Sequence, residues 1–61
     1  MNQKETLKTF NGKYGLIELE KLDEDGKVLY HVKHSNPLID NTWWNTRYDA
    51  VLYYQFLCAK Y

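Results

Sequence analysis

The sequence predicts a single small α+β domain, in which a β-hairpin and a candidate third strand form a small antiparallel sheet packed against one helix. Three observations carry this. An Asp-Gly pair at Asp25 and Gly26 separates two runs, YGLIELEKL and KVLYHVKH, that alternate apolar with polar residues. Thr46, with Asp49 three residues on, introduces a long apolar run in the manner of a helix start. The chain has 61 residues, enough for one core only. A chain of that size buries about 60% of the surface it exposes when unfolded.

Residues 1–9 are polar and lack apolar periodicity, so a flexible N-terminal arm is expected there and the domain is expected to occupy residues 10–61. NGKYG follows, with a turn expected at Asn11 and Gly12. If Asp25 and Gly26 form the next loop, Glu24 faces Lys27. Leu22 then faces Leu29, Glu20 faces His31, Leu19 faces Val32 and Glu18 faces Lys33. This register sorts Ile17, Leu19, Val28, Tyr30 and Val32 onto one face and sets Glu18 and Glu20 opposite basic partners on the other. A slip of one residue would mix the two sets, so turn chemistry and side-chain pattern support each other.

SNPLIDNT is a break, because Pro37 cannot donate a ladder hydrogen bond and Asn36, Asp40 and Asn41 favour turns. TWWNT suits a short strand. Residues 46–61 then read as a helix with Thr46 as its N-cap. Tyr48, Leu52, Phe56 and Ala59 share one side of that helix, while Ala50, Tyr54, Leu57 and Tyr61 share another, which leaves a narrow polar side. The run is also rich enough in Val, Tyr and Phe to form a strand, so that alternative stays open.

Composition narrows the function classes. Eight basic residues balance eight acidic ones, which argues against a nucleic-acid binder that must neutralise phosphates. No apolar run approaches the ~20 residues of a membrane span, and the first residues lack the apolar centre of a signal peptide. A cytoplasmic protein is expected, and the single cysteine, Cys58, fits that compartment while excluding a disulfide staple. With a marginal core and two Trp, six Tyr and two Phe, the remaining source of stability is self-association, so a homodimer is expected.

Catalytic and metal chemistry find little footing. His31 and His34 stand three apart, which on a strand sends them to opposite faces, so surface histidines are expected rather than a metal site. DEDG lacks the later oxygen ligands of a calcium loop, since Val32 stands where its closing Glu belongs. Cys58 lies in an apolar run and Ser35 lacks a G-x-S-x-G setting, while Gly12, Gly15 and Gly26 make no phosphate loop. A chain this short is also expected to struggle to build a pocket of a few hundred Å³. No enzyme, cofactor or metal is expected.

Two features point to binding. Glu18, Glu20, Asp23, Glu24 and Asp25 surround a single Lys21, an acidic excess that either keeps the hairpin soluble or presents negative charge to a basic partner. Trp43 and Trp44 are adjacent, so on a strand one enters the core and the other stays exposed.

At DEDGKVLYHVKH…LID…WWNT the chain resembles the small uracil-DNA glycosylase inhibitors of short-tailed, protein-primed Bacillus phages. The resemblance implies a three-stranded antiparallel sheet with one helix, acting as a dimer that copies the charge of DNA and grips an apolar side chain of the glycosylase in an aromatic pocket. Asp25, Gly26, Lys27 and Tyr30 match the hairpin, Asn45 and Thr46 the later Asn-Thr, and Trp43 a pocket aromatic. The chain departs from the pattern at His31, where an acidic residue belongs, in lacking a clear second pocket aromatic, and over residues 50–60, which the pattern makes a strand. The expected function is therefore a non-enzymatic inhibitor of a host DNA-processing enzyme, most concretely uracil-DNA glycosylase. Glu18, Glu20, Asp23, Glu24 and Asp25 would steer the encounter, and Trp43, Trp44 and Tyr48 would supply apolar grip, with Trp43 assigned to binding and Trp44 to the core. The alternative is a small nucleic-acid-binding accessory protein using Lys13, Lys33 and Arg47 with exposed aromatics.

Overall fold

The computed structural model describes residues 2–61. These form a four-stranded antiparallel sheet, β1 (Asn2–Gly12), β2 (Gly15–Glu24), β3 (Lys27–His34) and β4 (Thr42–Trp44), in spatial order β1-β2-β3-β4, followed by the helix α1 (Arg47–Lys60). The α+β class is as predicted. The β2–β3 register is also the one the sequence dictates, pairing Glu24 with Lys27, Leu22 with Leu29, Glu20 with His31, Leu19 with Val32 and Glu18 with Lys33. Its turn works because Asp25 (φ 54°) and Gly26 (φ 88°) both take positive φ, which a tight Asp-Gly hairpin requires. The Asp23 carboxylate closes the loop by accepting the Gly26 N–H at 3.2 Å.

The flexible arm expected over residues 1–9 is instead strand from residue 2 onward, and Met1 lies outside the described residues. β1 pairs with β2 from Asn2↔Glu24 to Gly12↔Gly15, so the intervening turn falls at Lys13–Tyr14, two residues later than expected. Most of β1 is exposed, and Lys4, Glu5 and Lys8 place charges along it, which is one way an edge strand avoids pairing with other chains. A register shift between Thr6 and Lys8 makes a bulge that lets Leu7 reach the core side. Gly15 (φ +144°) sits against the loop after β3, where a Cβ would lie 2.4 Å from the Ser35 hydroxyl. That contact belongs to a two-way tie: Ser35 donates its N–H to the Leu16 carbonyl, and its hydroxyl accepts the Leu16 N–H, both at 2.9 Å.

Residues 47–60 are helix, not the strand that the family pattern implies. Thr46 caps the helix by accepting the Asp49 N–H at 3.3 Å, and its hydroxyl donates to the Asp49 carboxylate at 2.9 Å. At the other end the Lys13 N–H donates to the Tyr61 carbonyl, which ties the helix C-terminus to the β1–β2 turn. The core lies between one sheet face and one helix side, where Ile17, Leu19, Val32, Ala50, Tyr54 and Leu57 are buried. Burial, and then a hydrogen bond with Cys58, push the Tyr54 phenol up to about 12. Among the described residues no helix is long and apolar enough to cross a membrane.

Candidate protein-binding surface

Only one face of the sheet is covered by the helix. Strand alternation puts Lys4, Glu18, Glu20, His31, Lys33 and Trp43 together on the other face. Glu20 sits at its centre and is only 2% exposed. Its carboxylate meets Lys4 at 3.2 Å, Lys33 at 3.3 Å and His31 Nδ1 at 3.6 Å, while Lys33 also reaches Glu18 at 3.8 Å. Two carboxylates thus answer two ammonium groups. Glu18 and Glu20, expected as steering charges, are spent within the sheet.

Burial favours the neutral form of Glu20, but the hydrogen bonds and charges of Lys33 and Lys4 outweigh it and hold the carboxyl below its ordinary 4.5. For His31, burial is the largest influence. Together with Lys33 it overcomes the attraction of Glu20 and holds the imidazole below its ordinary 6.5. Both depressed groups stabilise the fold at neutral pH and lose that contribution on acidification. The His31 share declines as pH falls from 6.5 through its folded value, and the Glu20 share declines below 4.5. Urea denaturation against pH is therefore expected to show stability falling in two stages. Glu20→Gln should cost about 1–3 kcal/mol at neutral pH, because Lys4 and Lys33 lose their counter-charge. It should also flatten the lower stage; a variant that retains that stage undiminished would assign it to other carboxylates.

The tryptophans part as strand geometry requires. Trp44 turns to the core side, where its ring lies 5.5 Å from Tyr53 and its Nε1–H donates to the Thr42 hydroxyl at 2.7 Å. Trp43 lies on the open face, 54% exposed, stacked on His31 with ring centroids 4.0 Å apart and planes 4° from parallel. The β3–β4 pairing His31↔Trp43 sets this stack, and the Glu20 contact holds the imidazole from beneath. The result is an exposed aromatic plate whose orientation is fixed before any partner arrives.

The remaining site residues are distributed around this plate. Asp23, Glu24 and Asp25 occupy the hairpin tip, with Glu24 and Asp25 exposed. Tyr48, 73% exposed, begins a stripe on the outside of α1, on the opposite side of the sheet from Trp43. The structure therefore does not join Trp43, Trp44 and Tyr48 into one grip. Nor does it gather the cations of the nucleic-acid reading. Lys13 is in the β1–β2 turn over the Tyr14 ring, Lys33 is engaged by Glu18 and Glu20, and Arg47 opens the helix.

His31 and His34 do face opposite ways, but they are not the surface histidines expected, since the His31 side chain is largely covered and His34 is buried. His34 is buried on the core side, where its Nδ1 accepts the Asn36 N–H at 2.9 Å and its ring meets Tyr61 edge-on. A half-open surface depression of about 390 Å³ is lined by Gln3, Lys4, Glu5, Lys21 and Asp23 at the β1 end of the sheet. β1 supplies three of its five lining residues, so the depression depends on a segment that the sequence presents as an arm. Comparison of the chain with protein-family models, curated proteins and solved structures finds no match.

Proposed function

We propose that the protein is a non-enzymatic inhibitor that acts in the cytoplasm by docking its open sheet face on a DNA-processing enzyme, with uracil-DNA glycosylase as the concrete target. The observation that carries the docking surface is Trp43, an exposed indole held flat against His31. A rigid aromatic gives up little conformational freedom on binding, and tryptophan is enriched among residues that dominate interface energies. The choice of target rests on the acidic hairpin and the resemblance at DEDGK and WWNT. The steering charge is smaller than the sequence suggests, because Glu18 and Glu20 are paired with Lys4 and Lys33; the exposed Glu24 at the hairpin tip is the charge on which this part of the reading leans. Such charge speeds encounter with a basic DNA groove more than it tightens the complex.

The test is uracil excision from duplex DNA by the purified glycosylase with increasing amounts of the protein. Inhibition should appear without retention of DNA by the protein itself, and Trp43→Ala should weaken it about 30-fold, the equivalent of about 2 kcal/mol. Undisturbed excision rejects the target. Salt-sensitive retention of DNA would instead favour a nucleic-acid accessory role.

A further inference from the structure

α1 buries one side and leaves another bare. Tyr48, Leu52 and Phe56 follow one another at four-residue intervals and are 73%, 49% and 54% exposed, with exposed Ala59 completing the stripe. We propose that this stripe binds a second copy of the same chain, with the two helices packed antiparallel about a two-fold axis between Leu52 and Phe56. The inference is independent of the enzyme target proposed above.

The stripe complements itself in size. In the antiparallel register that sets Leu52 of one copy against Phe56 of the other, large Tyr48 falls opposite small Ala59, within about one residue rise of 1.5 Å. It also complements itself in charge. At about 100° per residue, Asp49 and Lys60 project about 60° and 80° from Leu52, along the same edge of the stripe. A two-fold axis perpendicular to the helices brings each edge against its own copy in reversed order. Asp49 therefore meets Lys60 of the other copy, and the pair occurs twice. Lys60 already lies beside the stripe, with Nζ 5.6 Å from the Phe56 ring centroid. Antiparallel packing also places the positive N-terminal end of each helix dipole beside the negative C-terminal end of the other. A chain with eight charges of each sign meets no net repulsion in pairing with itself.

One helix stripe per subunit is a small contact, so a dissociation constant in the micromolar range is expected by sedimentation equilibrium. Leu52→Glu should leave a 7.4 kDa monomer with an unchanged melting curve under dilute conditions. Asp49→Lys and Lys60→Glu, each converting two attractive pairs into repulsive ones, should weaken the dimer about tenfold. Mixing those two variants restores both attractions, so heterodimer should form as tightly as the native dimer. Asp49 also belongs to the helix cap. If Asp49→Lys does not fold, Leu52→Glu and Lys60→Glu decide the matter. A native chain that stays monomeric through the micromolar range, or a dimer indifferent to Leu52→Glu and Lys60→Glu, overturns the proposal.

Discussion

Leu57→Ala is expected to unfold a large fraction of the protein, while Phe56→Ala one residue earlier leaves the monomer nearly as stable as before. Leu57 is 1% exposed and packs among Ile17, Leu19, Val32, Ala50 and Tyr54. Truncating a buried leucine costs about 2–5 kcal/mol, since transfer free energy is lost and a cavity remains. A domain of this length has a total stability on the order of 5 kcal/mol, so the loss consumes most of it. Phe56 is on the exposed side of the same helix turn, and its replacement should shift stability by less than about 1 kcal/mol. Chemical denaturation at concentrations below self-association compares the two directly. Equal losses would mean that the helix does not present these residues to opposite sides.

The second large effect separates the tryptophans. Trp44→Ala removes a ring packed against the core and Tyr53, together with its hydrogen bond to Thr42. A cost of about 2–3 kcal/mol is expected, below that of a fully buried tryptophan because the ring is half-buried. Trp43→Ala removes only the stack on His31, so thermal melts should move little. Its effect should appear in target binding and in the spectrum of the folded protein, because Trp43 alone stacks on a titrating imidazole. If Trp43→Ala unfolds the chain and Trp44→Ala does not, the assignment of faces to β4 is reversed.

Residues 16–34 were the most legible part of the chain. Local rules agree there: Asp25 and Gly26 accept the positive φ of a tight hairpin, and only one register keeps Ile17, Leu19 and Val32 together. Thr46 and Asp49 announced the helix start for the same reason, because a cap is made by residues three apart in sequence. β1 was illegible. It is held by backbone hydrogen bonds to β2, and its polar, lysine-bearing side chains suit an edge strand and a disordered arm equally well.

The site shows the same division. That Trp43 and Trp44 must face opposite ways follows from the two-residue period of a strand. Which one meets the core depended on pairing Trp44 with Tyr30 across β3 and on the helix covering that face. The acidic residues are a sharper case. Composition counts Glu20 with Asp23, Glu24 and Asp25, but Lys4 comes from the unrecognised β1 and Lys33 from β3, and together they bury Glu20 as an internal ion-pair centre. By itself, then, the sequence determined the hairpin, its register, the helix start and the two-sidedness of α1, all set by neighbours a few residues apart or by one tight turn. Only the tertiary structure decided that the first residues form a strand, that residues 47–60 are helix, that Glu20 is buried and which helix side stays bare. Each depends on packing or pairing between segments distant in sequence, whose energy no local pattern contains.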